Sequence, residues 1–368
     1  MKRIFSRNYW CAALTGIAVC LLCNSSVFAA EPARQYQFVA QGNGFRIEAK
    51  SVPVPTPAAN EVLVRVRATS LNRRDLLVLS GQYPAGNANG AVPLSDGAGE
   101  VVAVGSAVKE FKVGDRVAGT FFPTWLSGKR KPEHLADARG AERNGMLSEY
   151  VVSQPEGLVQ IPAHLSFEEA AALPCAGLTA FNALFRKASL QPGDYVLLEG
   201  TGGVSVLALQ FASAAGANVI ITSSSDDKLA RARELGAQTT INYRTYPDWE
   251  REVMAATNGV GVDHVLEVGG RDTLSKALSS LALGGHIAMI GGLSGFGSDI
   301  PAGIVLGKSA EISGLYVGSR EDFEAMNRFI TEHRITPVID KVFEFDEALQ
   351  AYEYMDSNAH FGKVVIRL

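Results

Sequence analysis

Three glycines near the middle of the chain have the spacing of a phosphate-binding turn. The segment LLEGTGGVSVLA places Gly200, Gly202 and Gly203 between an apolar strand and a helix of small residues, with Thr201 and Val204 beside them. The first glycine permits a tight turn, the second lets the backbone approach a pyrophosphate, and the helix that follows offers free N–H groups. We therefore expect a dinucleotide to bind here. A glycine-rich turn of some other α/β fold is the alternative.

The next strand ends without the acidic residue that would accept hydrogen bonds from an unphosphorylated ribose. Its end, VIITSSSDDK, instead offers Ser223 and Ser224, followed by Lys228. Hydroxyl groups and an ammonium suit a 2′-phosphate, so the segment favours NADP(H) over NAD(H). Two alternatives stay open: Asp226 or Asp227 serves the ribose of NAD(H), or the serines only cap the next helix.

The elements that position this turn alternate between strands and helices. From SFEEAAAL onward, apolar strands and helices follow one another at βαβ spacing, which predicts a parallel, doubly wound sheet. The earlier half has short strands broken by Pro and Gly, which predicts an irregular, mostly antiparallel β domain. We place that β domain at residues 30–160, completed by residues 325–368, and the nucleotide-binding domain at residues 161–324.

The first residues have the pattern of a secretory signal peptide over residues 1–29. A basic start is followed by an apolar stretch from Trp10 to Cys23 and by small residues, with cleavage expected after Ala29 or Ala30. An uncleaved anchor is the alternative. The leader predicts export to the periplasm and no stable membrane insertion after cleavage, whereas a misassigned start predicts a cytoplasmic protein. Of the four cysteines, only Cys175 lies beyond the leader.

Composition excludes several classes of protein. The 368 residues are 47% hydrophobic and 20% charged, with a net charge of −4, so the chain has neither the basic surface of a nucleic-acid binder nor the composition of a disordered protein. Four cysteines in this length do not make a disulfide scaffold.

The order of motifs resembles the medium-chain dehydrogenase/reductase superfamily. DGAGEVVAVG and VGDRV are followed by LPCAGLTAFNAL, GTGGVS and a C-terminal GKVVI, and the resemblance spans about residues 36–368. Within the superfamily the chain is most similar to the zinc-independent quinone oxidoreductase and alcohol-dehydrogenase-like branch. The resemblance implies a GroES-like β domain around a Rossmann domain, an active site between them, and a homodimer or homotetramer.

The residues that bind zinc in other members of this superfamily are replaced here. Those members use a cysteine in a first segment, a His-Glu pair before the GAG turn, and a later cysteine or aspartate. This chain has Asn72 at the first position, Ser95-Asp96 at the second, and Cys175 at the third. One thiolate without a matching imidazole does not meet the three-ligand requirement of a catalytic zinc. We therefore predict no metal, and we interpret Cys175 as a small buried side chain.

The resemblance also implies individual cofactor contacts. Arg73 matches an arginine that touches the pyrophosphate, with a solvated surface charge as the alternative, and Tyr243 matches an aromatic residue near the adenosine phosphate. The residues implied to lie beside the nicotinamide or to close over the cofactor are Thr179, Gly291, Gly292, Leu293, Val317, Ser319, Phe361 and Lys363.

Hydride transfer without a metal needs an acceptor that is already electron-poor, or a polar donor where negative charge develops. Quinones and α,β-unsaturated carbonyls meet the first condition. Tyr83, in SGQYPAG, is the first candidate donor because related enoyl reductases place a catalytic tyrosine in a similar segment, and Asn72 is the second. The alternative is that Tyr83 only lines the pocket as a hydrophobic side chain and that solvent supplies the proton.

Aromatic residues follow the predicted strands of the first half. Phe121, Phe122 and Trp125 predict an apolar, fairly flat acceptor, and core packing explains the two phenylalanines equally well. Three functions remain open from the sequence. They are an NAD(P)H-dependent reductase of quinones or activated double bonds, a metal-free alcohol or carbonyl dehydrogenase, and a non-catalytic NADP(H)-binding protein.

Overall fold

The computed structural model describes Met1 and residues 31–83, 88–297 and 300–368. The predicted leader, Met1 aside, lies outside the described residues. Among the helices that are described, none is long and apolar enough to cross a membrane.

The secondary-structure elements are numbered in chain order. The strands are β1 (Ala33–Gln41), β2 (Gly44–Val52), β3 (Val62–Ser70), β4 (Asp96–Val104), β5 (Arg116–Gly119), β6 (Tyr150–Ser153), β7 (Leu158–Gln160), β8 (Tyr195–Leu198), β9 (Asn218–Ser223), β10 (Thr239–Asn242), β11 (Val262–Glu267), β12 (Leu281–Met289), β13 (Glu311–Gly314), β14 (Ile339–Glu344) and β15 (Lys363–Arg367). The α-helices are α1 (Arg73–Leu79), α2 (Pro132–Leu135), α3 (Phe167–Ala171), α4 (Leu178–Phe181), α5 (Gly203–Ala214), α6 (Asp226–Glu234), α7 (Trp249–Ala256), α8 (Leu274–Ser280), α9 (Ala302–Lys308), α10 (Arg320–His333) and α11 (Ala348–Asp356). Short 3₁₀ turns cover Pro155–Gly157 and Phe345–Glu347, and π-helical stretches flank α4 at Leu173–Gly177 and Asn182–Lys187.

The first large sheet has the strand order β14-β15-β3-β4-β5-β7, with β6 also paired to β3. Neighbouring strands within this sheet are antiparallel, except for the parallel pair of β14 and β15. The last strand of the chain lies against β3, with Val365 opposite Ser70. The end of the chain therefore brings its side chains to the first half of the molecule.

The second large sheet has the strand order β10-β9-β8-β11-β12-β13, and every neighbouring pair is parallel. The predicted parallel, doubly wound sheet is confirmed. Strands β8 and β9 at its centre are mostly apolar because helices cover both faces. Strand order reverses between β8 and β11, and ligands of such sheets bind beyond the carboxyl ends of the strands at that reversal.

The two sheets share a continuous apolar core. One cluster of buried residues includes Ala68 and Ala98 of the antiparallel sheet together with Val196 and Val206 of the parallel half. The stretch from residue 173 to residue 187 runs through this core as a helix interrupted by π turns. It therefore fixes the position of the nucleotide-binding half against the antiparallel sheet.

Candidate active site

The glycine turn joins the end of β8 to the start of α5. Gly200 has a φ of +71°, which glycine adopts without strain. A side-chain carbon at Gly200 or Gly202 would meet no other atom within 4 Å, so the space above the turn is open. The first N–H groups of the 12-residue helix α5 have no partner within their own helix. An open backbone cradle at a helix N-terminus fits the pyrophosphate of a dinucleotide.

A pair of buried carboxyl groups supports the turn from below. Oε2 of Glu199 accepts the N–H groups of Val268 and Gly269, each at 3.2 Å, and Oε1 of Glu267 accepts the N–H of Gly270 at 2.7 Å. Burial raises the pKa of Glu199 well above its ordinary value, and the charge of Glu267 acts in the same direction. The pair therefore retains a proton and ties the ends of β8 and β11 together at the strand reversal.

The predicted ribose-binding segment lies directly beside the turn. Oγ of Ser223 is 3.1 Å from Oγ1 of Thr201, and the N–H of Tyr243 donates to the carbonyl of Ser223 at 3.0 Å. Helix α6 is capped by the hydroxyl of Ser225. Ser223 and Ser224 are therefore not needed as caps, which removes one alternative explanation of these serines.

Cationic groups gather at the same end of the molecule. Nζ of Lys228 donates to the carbonyl of Asn358 at 2.7 Å. Burial lowers the pKa of His360 to about 4, and the charges of Lys228, Lys363 and Arg73 act in the same direction. His360 also has a buried ring nitrogen, Nδ1, without a hydrogen-bond partner. A positive environment of this kind suits an anionic cofactor.

The last strand begins against the glycine turn. The N–H of Gly362 donates to the carbonyl of Thr201 at 3.1 Å. Phe361 is buried, and the guanidinium of Arg231 lies 4.2 Å from the centre of its ring. The aromatic face is therefore packed within the fold, and a contact of Phe361 with the cofactor stays a prediction.

Two residues implied at the cofactor have their side chains engaged elsewhere. Arg73 forms an exposed ion pair with Asp356 at 3.4 Å, which agrees with the surface-charge alternative. Ser319 is buried and caps α10, and its Oγ donates to Oδ2 of Asp322 at 2.7 Å. The hydroxyl of Ser319 is therefore committed to the helix cap, whereas a contact of Arg73 with the pyrophosphate stays a prediction.

The other implied residues lie beyond the carboxyl ends of the parallel strands. Residues 291–293 follow β12, and Val317 follows β13 with a φ of +47°. The carbonyl of Val317 accepts the Nδ2 donor of Asn182 at 2.7 Å, which brings it to the same helix as the buried Thr179. Their contact with a nicotinamide ring stays a prediction.

A second set of side chains forms what we call the buried polar cluster. Its members are the buried Asn72, Arg74 and Lys363 and the half-buried Tyr83 and Cys175. Lys363 extends from the glycine turn into this cluster. Its Cδ lies beside Gly203, where an added side-chain carbon would be only 2.6 Å away. Its ammonium, only 2% exposed, donates to the carbonyl of Leu71 and to Oδ1 of Asn72, both at 2.7 Å. The structure directs the charge of Lys363 into the cluster, and a contact of its side chain with the cofactor stays a prediction.

The positions that bind zinc in other members of the superfamily carry unsuitable groups. Oδ1 of Asn72 is occupied by Lys363, and Oγ of Ser95 donates to Asp96 at 2.7 Å. Burial raises the pKa of the Cys175 thiol far above its ordinary value, so the sulfur stays protonated. An amide, a hydroxyl and a thiol beside an ammonium do not fit a catalytic zinc. Within the described ranges, no three His, Cys, Asp or Glu side chains are placed to hold a metal.

Sequence reasoning missed Arg74, the second residue of α1. Its side chain is 8% exposed, and Nη1 donates to the carbonyl of Arg139 at 2.7 Å and lies 3.6 Å from Asp75. The guanidinium is 4.8 Å from the ring centres of both Tyr83 and Phe121. A signal was present in the run Arg-Arg-Asp. Consecutive helical residues point about 100° apart, so Arg73 and Arg74 point in different directions and are expected to differ in burial.

Tyr83 supplies a hydroxyl beside Arg74. Burial raises the pKa of Tyr83 above its ordinary value, although the charge of Arg74 opposes this, so the phenol stays protonated at neutral pH. Phe121 and Phe122 are almost fully buried and pack edge to face, with ring centres 4.6 Å apart. Trp125 continues this aromatic wall, 5.9 Å from Phe122. Core packing accounts for Phe122, whereas Phe121 also contacts the cluster.

Two family patterns match this chain. The alcohol dehydrogenase GroES-like domain matches residues 58–163, and the family described as zinc-binding dehydrogenase matches residues 203–332. A zinc-type alcohol dehydrogenase-like protein of Schizosaccharomyces pombe is 46% identical over 314 residues, covering 84% of this chain and 91% of its own length.

Quinone oxidoreductases and alcohol dehydrogenases are both among the similar proteins. A quinone oxidoreductase of Pseudomonas aeruginosa is 33% identical over 344 residues, covering 91% of this chain and 99% of its own. The crystal structure of an NAD-dependent alcohol dehydrogenase superposes with a TM-score of 0.81 at 36% identity, covering 91% of this chain and 99% of that one. The chain belongs to the medium-chain dehydrogenase/reductase superfamily. It is an NAD(P)-dependent oxidoreductase.

Proposed function

We propose that the protein transfers a hydride from NADPH to a quinone or to an α,β-unsaturated carbonyl compound without a metal. The observation that carries this proposal is the ammonium of Lys363, which is bonded to Asn72 where zinc members of the superfamily place a ligand. A buried cation disfavours a second, divalent cation at the same place. Although the carboxylate of Asp96 lies 3.8 Å from the ammonium, the cation also favours an acceptor that becomes negative during the reaction.

The residues of the cluster have separate tasks in this proposal. When bound, the reduced nicotinamide supplies the hydride. Lys363 donates to Oδ1 of Asn72, which fixes the amide so that its buried and unpartnered Nδ2 is the free donor. Tyr83 holds a proton for the product anion because its pKa is raised. The aromatic wall excludes water and suits a flat acceptor.

The choice of NADPH over NADH rests on the end of β9 and on the residues that follow it. Ser223 lies at the turn, Ser224 is free of the capping role, and Lys228 adds a positive charge. The exposed Asp226 argues for NADH, although its Oδ1 already accepts from Asn242 at 2.7 Å. Fluorescence titration with both reduced cofactors measures this choice, and we expect tighter binding of NADPH.

A turnover screen tests the reaction itself. Purified protein is assayed for cofactor oxidation with quinones, enones and simple aldehydes, before and after treatment with a zinc chelator. We expect quinones and enones to react and chelation to leave the rate unchanged. Zinc that copurifies stoichiometrically and is needed for turnover overturns the proposal. Turnover of simple aldehydes or alcohols alone favours a metal-free alcohol dehydrogenase, and tight NADPH binding without any turnover favours a binding protein.

We further propose a homodimer or homotetramer. In the parallel sheet β13 pairs only with β12 among the strands that are described, which leaves one strand edge open. Leu306, on the preceding helix, is 82% exposed. Light scattering after size-exclusion chromatography measures the assembly, and a monomer at all concentrations contradicts it.

We also propose export of the mature protein, which rests on the leader pattern of residues 1–29 alone. N-terminal sequencing of protein from fractionated cells tests it. A start near Ala30 in the periplasmic fraction supports export, whereas an intact leader on cytosolic material overturns it.

A further inference from the structure

Arg74 is a buried cation whose hydrogen-bonding groups are not all used. Its Nη1 has a carbonyl partner, whereas Nε and Nη2 are buried and meet no acceptor in good hydrogen-bond geometry, although the hydroxyl of Tyr83 is close enough to interact with the guanidinium. A guanidinium is always charged, and leaving its N–H groups unsatisfied inside a protein costs free energy. Side chains in this state are expected where a ligand completes the hydrogen bonding.

The surroundings of Arg74 hold it in one orientation. The rings of Tyr83 and Phe121 each lie 4.8 Å from the guanidinium, and Asp75 lies 3.6 Å from Nη1. Oδ2 of Asp75 in turn accepts the N–H of Asn72 at 2.8 Å. A planar guanidinium fixed by aromatic rings and one carboxylate presents its remaining N–H edge in a constant direction.

A second buried arginine shows what a purely structural one looks like. Arg139 is 2% exposed, and its guanidinium donates to the carbonyl of Thr120, to Oγ of Ser153 and to the carbonyl of Gly157. Its Nε and Nη2 therefore both have acceptors. Arg74 therefore differs from Arg139 in the very groups that a ligand would use.

We propose that Nε and Nη2 of Arg74 donate hydrogen bonds to the acceptor oxygen that becomes negative during hydride transfer, and that Arg74 thereby replaces the Lewis acid of the zinc enzymes. This inference rests on the proposed function and names the group that stabilises the charge. The acceptor carbon gains a hydride with its electron pair, the π electrons move to the oxygen, and the nicotinamide is oxidised. The oxygen anion then takes a proton from Tyr83 or from solvent.

The class of acceptor follows from this geometry. The charge on Arg74 is useful where the reaction creates an oxygen anion, as in quinones and enones, and its stabilisation counts more when that anion is more basic. Removal of Arg74 is therefore expected to slow enone reduction more than quinone reduction. If Arg74 instead bound a carboxylate of the substrate, its removal would raise KM and leave kcat unchanged.

Kinetics of Arg74→Met and Arg74→Lys form the first arm of the test. We expect Arg74→Met to lower kcat about 100-fold with a quinone and more with an enone, because one lost oxyanion donor has effects of this size. The dissociation constant of NADPH stays within twofold. Arg74→Lys keeps the charge and retains part of the rate. Equal losses for both acceptors, or a change confined to KM, overturn the inference.

Binding of 4-nitrophenolate to the NADP⁺ complex forms the second arm, and it needs no turnover. The phenolate stands in for the product anion, and its absorbance reports ionisation. We expect the wild-type complex to lower the pKa of bound 4-nitrophenol and Arg74→Met to abolish that shift. Arg139→Lys serves as the matched control, with lower thermal stability but an unchanged shift. An unshifted pKa in the wild-type complex overturns the role of Arg74, whatever the turnover screen finds.

Discussion

The glycine turn offers backbone groups to a ligand, whereas the buried polar cluster offers side-chain groups. At the turn the open space lies over backbone, and Gly200 and Gly202 keep side-chain carbons away from it. In the cluster the groups are side chains, two of them the buried cations Arg74 and Lys363. The turn should therefore be sensitive to added carbon atoms, and the cluster to lost charges.

The largest effect is expected for Gly202→Val. The new side chain fits sterically in the free protein, since no atom lies within 4 Å, but it occupies the space of the pyrophosphate. We expect NADPH affinity to fall about 1,000-fold, measured by fluorescence titration, with little change in the thermal midpoint.

Gly303→Val is the matched control for the turn. This glycine also has no atom within 4 Å of an added carbon, and it lies in α9, away from the turn. Cofactor affinity should stay within twofold. If both valine variants weaken binding alike, the turn is not where the pyrophosphate lies.

The next effect is expected for Lys363→Met. The change leaves the carbonyl of Leu71 and Oδ1 of Asn72 without a donor, and Asp96 loses a cation 3.8 Å away. We expect about 3 kcal/mol of lost stability in urea unfolding, since breaking a buried ion pair is costly. We also expect kcat to fall at least tenfold. The exposed Lys341→Met should change stability by less than about 0.5 kcal/mol. A fully stable Lys363→Met variant would mean that the ammonium is not held as described.

His360 is affected by charges from both regions, Lys228 near the turn and Lys363 in the cluster, and it gives a pH-dependent prediction. Burial lowers its pKa to about 4, from an ordinary value of 6.5. Between these values the unfolded chain binds the proton and the folded chain does not, so stability falls as pH drops from about 6.5 to 4. At pH 4 the loss is about 3 kcal/mol, at about 1.4 kcal/mol per pKa unit.

Urea unfolding of His360→Gln at pH 7, 5.5 and 4 measures this loss. The variant should lose less stability than the wild type between pH 7 and pH 4. His333→Gln, at an exposed position, should keep the wild-type dependence. Parallel curves for the wild type and His360→Gln contradict the assigned pKa.

The same contrast explains how far the sequence leads. The glycine turn and the parallel sheet were predictable because they depend on local spacing and on apolar runs that adjacent residues define. The hydrogen-bond partners of Lys363 and Arg74 were not predictable, because Asn72 and Arg139 are 291 and 65 residues away in the chain. The resemblance implies a position beside the nicotinamide for Ser319. A serine before a helix is equally suited to capping, and the hydroxyl of Ser319 donates to Asp322, three residues further along the chain.

The smallest catalytic effect is expected for Tyr83→Phe. The phenol is a proton donor in our proposal, and its raised pKa keeps it protonated up to pH 9. The wild-type rate should therefore be flat from pH 7 to 9, above the range in which Asp75 titrates, since burial raises the pKa of Asp75 to about 6. We expect kcat to fall about tenfold, since solvent replaces the donor. Tyr246→Phe, an exposed tyrosine, should have no effect.

Comparing the loss of kcat in Tyr83→Phe with that in Arg74→Met shows whether proton delivery or charge stabilisation contributes more to catalysis by the cluster. Charge stabilisation acts in the transition state and water does not supply it, so only the amide of Asn72 and the charge of Lys363 remain when Arg74 is removed, whereas proton delivery follows it and is available from water. The solvent isotope effect on kcat separates the two, because a rate limited by hydride transfer shows little of it. A Tyr83→Phe loss larger than that of Arg74→Met, with a large solvent isotope effect, would reverse this ranking and make proton transfer the step that the cluster serves.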